Sequence, residues 1–123
     1  MIRVLLVDDQ PATRAGLRMR LTLDPDLAIV GEAGDGAEAL TRTVSLAPDV
    51  VVMDLALPGV HGLAATSAIR QQAPGSAVVI HTIHDDPVTR REAREAGAAG
   101  FVSKFEENGA LIRAIRMAAT GSN

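Results

Sequence analysis

The sequence predicts an α/β fold, a doubly wound parallel sheet with helices on both faces. Three observations carry that prediction. Short apolar runs alternate strictly with stretches of helical spacing, in five strand–helix units over 123 residues, and such alternation builds parallel β–α units. The runs are continuously apolar, as in Val4-Leu5-Leu6-Val7 and Val50-Val51-Val52-Met53, which suits strands covered on both sides. Pro, Gly and Asp cluster between the two kinds of segment, where turns are required. A chain of this length makes one domain and buries a core without staples.

Taken in order, Ile2–Val7 is the first strand, and it stops abruptly at Asp8-Asp9. Pro11, suited to a first helical turn, opens a helix to about Leu23, which Asp24-Pro25-Asp26 breaks. Leu27–Ala33 is the second strand, and the turn Gly34-Asp35-Gly36 leads to a helix from Ala37 to about Leu46. Pro48-Asp49 precedes the third strand, Val50–Met53, which ends at Asp54. After the loop Leu57-Pro58-Gly59, a third helix runs from Gly62 to about Gln72, with Leu63, Thr66, Ile69 and Arg70 at helical spacing. Pro74-Gly75 turns the chain into a fourth strand, Ala77–Ile80, running on to Thr82. Pro87 to about Ala96 is a polar helix whose Arg90, Arg91, Glu92, Arg94 and Glu95 read as a solvated face. Gly97 and Gly100 flank a short fifth strand, Phe101–Ser103. The last helix spans about Glu107 to Ala119, with Leu111, Ile112, Ile115 and Ala118 as its apolar stripe.

Composition narrows the function classes. Hydrophobic residues make up 47% and aromatics only 2%, with neither Trp nor Tyr, so the core must be aliphatic. The absence of cysteine removes disulfides, thiolate metal sites and Cys nucleophiles, and fits a reducing cytoplasm. A net charge of −3 with no basic, aromatic-interleaved patch disfavours direct nucleic-acid binding by this segment. The apolar stretch in MIRVLLVDD is too short for a signal peptide, and no run approaches membrane-spanning length.

In an open parallel sheet, ligands bind beyond the carboxyl ends of the strands. Asp8, Asp9 and Asp54 end strands there, Thr82 ends another, and Lys104 follows the fifth. Taken singly, each has a blander reading: Asp8-Asp9 as a helix cap, Thr82 as a strand former, Lys104 as a surface lysine. Each histidine alone is a surface or packed residue, with His81 inside the fourth strand, and no His-rich constellation fits zinc. Together, three carboxylates on one rim repel one another. A divalent cation resolves the conflict, and an oxygen-only donor set suits Mg²⁺. A carboxylate beside Mg²⁺ can act as nucleophile on phosphorus, with a lysine and a hydroxyl to hold the phosphoryl oxygens.

The motifs VDDQP (Val7–Pro11), IVGEAGDG (Ile29–Gly36), PDVVVMDLALPGVHG (Pro48–Gly62), HTIHDD (His81–Asp86) and AGAAGFVSK (Ala96–Lys104) occur in this order. With them the sequence resembles the receiver domain of bacterial two-component response regulators, in the NarL/LuxR-type branch. The resemblance implies a flavodoxin-like (βα)5 sheet of strand order 2-1-3-4-5. The receiver would span residues 1–120, with 121–123 a tail or the start of a linker. It implies that Asp54 is the phosphoacceptor, that Asp9 and Asp8 bind Mg²⁺ with Asp54 and the backbone carbonyl of Ala56, and that Lys104 contacts the phosphoryl group. Thr82 and Phe101 would be the switch residues. A sensor histidine kinase would be the phosphodonor, and the chain a self-assisting switch rather than an enzyme. A homodimer is a further implied partner, with the first helix and the stripe of the last as candidate surfaces. DNA would be reached, to control transcription, only through a C-terminal helix-turn-helix domain that this chain does not carry, and no membrane is involved. Ala56, His61 and Phe105 depart from the usual pattern, so a degenerate receiver acting as a phosphorylation-independent interaction module is the alternative. A flavin or dinucleotide binder is disfavoured, because the first loop carries acids and the Gly31–Gly36 stretch is not a phosphate-binding fingerprint.

Overall fold

A computed structural model describes residues 1–121. The elements alternate as β1 (Ile2–Val7), α1 (Pro11–Leu21), β2 (Leu27–Ala33), α2 (Gly36–Leu46), β3 (Val50–Met53), α3 (Gly62–Gln72), β4 (Ala77–Thr82), α4 (Pro87–Glu95), β5 (Gly100–Ser103) and α5 (Asn108–Thr120). The strands form one parallel sheet in the order β2-β1-β3-β4-β5, the predicted flavodoxin-like topology. The chain first winds outward from β1 to β2, then returns past β1 to β3. The switch point therefore lies between the carboxyl ends of β1 and β3, where a cleft opens in such sheets.

Side-chain alternation along each strand feeds two aliphatic cores. Val4, Leu6, Val50, Val52 and Val79 pack with Leu17 and Leu21 of α1 and Leu111 and Ile115 of α5. Leu5, Val7, Val51, Met53, Val78 and Ile80 pack on the opposite face with Ala39 of α2, Ala65 and Ile69 of α3 and Ala93 of α4. This explains why the inner strands carry no polar alternation. Among the described residues no helix is long and apolar enough to cross a membrane.

Several element ends differ from the sequence expectation, each for a local reason. α1 stops at Leu21 rather than Leu23, because the Thr22 hydroxyl donates to the carbonyls of Arg18 and Met19 and closes the last turn. α2 starts one residue early, at Gly36. Asp35 caps it by accepting from Glu38 N–H at 2.7 Å, and Glu38 accepts in return from Gly34 N–H at 2.7 Å. α4 ends at Glu95, with Ala96 bonding back to Glu92 and Gly97 turning at φ 102°. β5 gains Gly100, which pairs with Val79. Glu107 is the extended residue before α5 rather than its first turn, and Gly121 closes α5 in the left-handed region at φ 73°. Gly121 thus belongs to the helix end, while the remaining tail residues, Ser122 and Asn123, lie outside the described residues.

Candidate functional site

Asp8 and Asp54 continue adjacent parallel strands, and the sheet brings them to one rim. Asp8 N–H donates to Ala33 O at 3.1 Å and Asp54 N–H to Val7 O at 3.0 Å, so both backbones extend the ladder by one residue. Both residues are buried, at 2% and 6% exposure, whereas Asp9 is exposed. Carboxylate oxygens of Asp8, Asp9 and Asp54 all lie within 4.8 Å of one another. From the other side comes Lys104, whose N–H donates to Thr82 O at 2.8 Å and keeps it beside β4. Its Nζ lies 2.7 Å from Asp8 Oδ2 and 3.1 Å from Asp54 Oδ2. Asp8 does not cap α1, which carries no side-chain cap bond; its Oδ1 accepts from Gln10 N–H at 2.9 Å and makes a turn just before the helix.

The other residues singled out from the sequence stand around this cluster. Thr82 is fully buried, and its hydroxyl oxygen accepts from His84 N–H at 3.2 Å, a bond within its own loop. Ala56 is exposed and donates its N–H toward Asp54 Oδ1 at 3.4 Å. Phe101 is half-buried on β5, with the Arg90 guanidinium 4.6 Å above its ring. Arg90 also chelates Asp85 through Nε and Nη2, at 2.5 and 3.1 Å. Arg91, Glu92, Arg94 and Glu95 are exposed, as a solvated face requires, and Arg90 alone is partly covered. The helix register turns Arg90 back toward β5, and the bound Asp85 orients its planar head over the ring.

Electrostatically, one ammonium faces three carboxylates. Burial pushes the Asp54 carboxyl above the ordinary aspartate range, Asp8 adds repulsion, and Lys104 pulls the other way. Burial alone would lower the Lys104 pKa, but its bonds to Asp8 and Asp54 outweigh that and hold it above the usual lysine value. The cluster is thus short of positive charge, and its donors are all oxygens with an open side at Asp9 and Ala56. A small hard dication that keeps some of its waters fits this donor set.

Residues not singled out from the sequence hold the rim in place. A Cβ on Gly62 would stand 2.4 Å from Asp54 O and 2.6 Å from Leu55 Cα, so α3 can approach the acid only through glycine. His61 caps α3, its Nδ1 accepting from Leu63 N–H at 3.1 Å. Glu106 Oε2 accepts from Ser103 N–H at 2.8 Å, and Ser103 Oγ accepts from Phe105 N–H at 3.1 Å. These two bonds fold the chain around Lys104. Arg14 of α1 bonds the Asp8 carbonyl and Glu32 of β2. No sequence motif marks such ties, because a charged residue on a helix or strand does not name its partner. The single available signal was that Glu32 interrupts an otherwise apolar strand.

Comparison with known proteins agrees with this geometry. The family described as the response regulator receiver domain matches residues 4–116. The chain is 39% identical over 123 residues to the transcriptional regulatory protein LiaR of Bacillus subtilis strain 168, covering 98% of the chain and 57% of LiaR. It is 38% identical over 120 residues to the nitrate/nitrite response regulator protein NarP of Escherichia coli K12, covering 98% and 56%. The chain thus spans little more than half of these curated relatives. Among solved structures, a two-component response regulator of the LuxR family from Aurantimonas sp. SI85-9A1 superposes with a TM-score of 0.94 at 40% identity, covering 98% of this chain and 86% of that one.

Proposed function

The chain belongs to the response regulator receiver domain family, in its NarL/LuxR-type branch, and from that premise we propose that it is a switch phosphorylated on Asp54. The observation that carries this reading is the double contact of Lys104 Nζ, 2.7 Å from Asp8 and 3.1 Å from Asp54, inside a cluster of three carboxylates. Asp8, Asp9, Asp54 and the backbone carbonyl of Ala56 would hold Mg²⁺, which offsets the negative charge that otherwise repels a phosphoryl donor. An Asp54 oxygen forms the new bond to phosphorus as the bond from phosphorus to the donor nitrogen breaks. The imidazole of a sensor kinase's phosphohistidine leaves and takes up a proton. Lys104 then exchanges its carboxylate contact for a phosphoryl oxygen. Water later attacks phosphorus, releasing inorganic phosphate and restoring the carboxylate.

The switch follows from what surrounds the acid. The phosphoryl group adds roughly −1.5 to −2 charges at one point. Thr82 gives up its bond to His84 N–H and donates its hydroxyl to the phosphoryl oxygen. Phe101 turns into the space left behind and slips from under Arg90, which remodels the face made by α4, β5 and α5. The bias is a population shift between two conformers. Its output is transcriptional control in the cytoplasm through a DNA-binding domain, with a homodimer as the responding state.

Incubation with Mg²⁺ and a small acyl phosphate tests the reading, with intact-protein mass spectrometry as the measurement. One added phosphoryl group, absent when Mg²⁺ is chelated before the phosphodonor is added and absent in Asp54→Asn, is the expected result. A second reading, an interaction module that never takes phosphate, is favoured by Phe105, which stands 82% exposed next to Lys104. Absence of labelling in folded protein would select that reading. Light scattering with and without beryllofluoride and Mg²⁺ then reports whether the oligomeric state responds.

A further inference from the structure

We propose that Arg14 is a positioning residue for the acidic pair, its guanidinium fixing the peptide that joins Asp8 to Asp9. The proposal rests on the reading of that pair as Mg²⁺ ligands. Arg14 lies in the first turn of α1, with its side chain only 18% exposed. Nη1 donates to the Asp8 carbonyl at 2.5 Å, and Nε donates to Glu32 Oε1 at 2.9 Å. Glu32 is itself gripped from the other side by Arg18 Nε, 2.7 Å from Oε2. These cations, Arg18 first, hold the Glu32 carboxyl below the ordinary glutamate range, so it stays ionised and keeps its grip. The guanidinium is therefore anchored to β2 at one edge and holds the β1–α1 loop at the other.

What it holds matters because the peptide unit is planar. Fixing the Asp8 carbonyl fixes the plane that also contains the Asp9 N–H, and with it the direction in which the Asp9 side chain leaves the chain. Asp8 is tied at every polar group: its N–H to Ala33, its carbonyl to Arg14, Oδ1 to Gln10 N–H and Oδ2 to Lys104. The Asp9 carboxylate, by contrast, accepts no hydrogen bond among the described residues. Its place in the cluster comes from its backbone, and Arg14 sets that backbone.

Two effects of Arg14 on a bound cation oppose each other, which makes the proposal testable by sign. As a nearby positive charge, Arg14 disfavours Mg²⁺, so its removal should tighten binding if charge alone mattered. As the holder of the loop it favours Mg²⁺, and groups that orient metal ligands are typically worth roughly 10- to 100-fold in affinity. Arg18 separates the two roles, because it shares Glu32 but makes no bond to Asp8.

The experiment is calorimetric titration of the full chain with Mg²⁺, alongside far-UV dichroism and a thermal melt of each variant. Arg14→Ala and Arg14→Lys are each expected to weaken Mg²⁺ binding by roughly tenfold, while Arg18→Ala, which loosens Glu32 but leaves the bond to the Asp8 carbonyl in place, weakens it less. Arg14→Lys keeps the charge and decides the matter if Arg14→Ala fails to fold. Unchanged or tighter binding in the Arg14 variants would overturn the proposal, as would equal weakening in Arg18→Ala. Failure of the unaltered chain to bind Mg²⁺ would instead remove the acidic-pocket reading, and this inference with it.

Discussion

The ammonium of Lys104 lies 3.1 Å from Oδ2 of Asp54, across a sequence separation of 50 residues. The same ammonium lies 2.7 Å from Asp8, so one cation serves two buried carboxylates. The lysine thereby stands where a metal ion or a phosphoryl group would compete with it.

Replacing Lys104 with methionine keeps the stem and removes the charge. Asp8 and Asp54 are then left buried without a cation. The expected cost is about 2 kcal/mol at neutral pH in Mg²⁺-free buffer, the scale for an orphaned buried charged partner. Urea denaturation measures it. Added Mg²⁺ should restore most of the loss and should bind the variant more tightly than the parent, because the competing ammonium is gone. A variant as stable as the parent without Mg²⁺ would mean the contact carries no energy.

Asp54→Asn should stabilise the metal-free protein at neutral pH. Burial raises the folded-state pKa of Asp54 above its ordinary value of 3.8. The folded state therefore binds this proton more tightly than the unfolded state does. The favourable contribution of Asp54 is complete below 3.8 and is lost as pH rises through its folded-state pKa. Asparagine carries no such penalty. The gain in denaturation midpoint should appear at neutral pH, shrink on acidification toward 3.8, and vanish when Mg²⁺ is supplied. A gain that grows on acidification would contradict the assignment.

The strands and the acidic rim were legible in the sequence for a physical reason. Strands buried on both faces need unbroken apolar runs, and Val4–Val7 and Val50–Met53 can serve no other purpose. Polar residues closing such runs, Asp8 and Asp54, must then face the rim. The supports of the rim were not legible. Arg14 and Glu32 meet across α1 and β2, Arg90 folds back onto Phe101, and the Ser103–Glu106 bonds curl the chain at Lys104. Each depends on three-dimensional neighbours rather than on spacing along the chain. His61 as a helix cap was missed because capping rules favour Ser, Thr, Asp and Asn.

Gly62 should tolerate no side chain. A Cβ there meets backbone atoms of Asp54 and Leu55 at 2.4 and 2.6 Å, and backbone cannot step aside as a flexible side chain can. Gly62→Ala is expected to cost about 3 kcal/mol, the upper scale for overpacking. Because the displaced backbone is that of Asp54, Mg²⁺ affinity should fall as well. Gly75→Ala is the control, since nothing lies within 4 Å of its added Cβ, and it should leave both stability and Mg²⁺ binding unchanged.

His81 should dominate the loss of stability at mildly acidic pH. It lies on β4 and lines a cavity of about 50 Å³ between the sheet, α1 and α5, with Leu17, Leu21, Val102, Lys104 and Leu111. Burial lowers its pKa from 6.5 to about 4, with the Lys104 charge adding to the effect, Arg20 a further repulsion, and Asp8 and Glu106 opposing it. The imidazole is therefore neutral in the folded protein. Below 6.5 the unfolded chain takes up this proton while the folded chain does not. Stability is full above 6.5 and falls as pH drops toward about 4, by roughly 3 kcal/mol in all at 1.36 kcal/mol per pKa unit. The raised carboxyl of Asp54 works in the opposite direction, so the histidine is isolated by His81→Gln, which keeps a polar side chain without the titration. Urea denaturation across this window should show a shallower pH slope for the variant than for the parent. Parallel slopes would place the acid sensitivity elsewhere in the molecule.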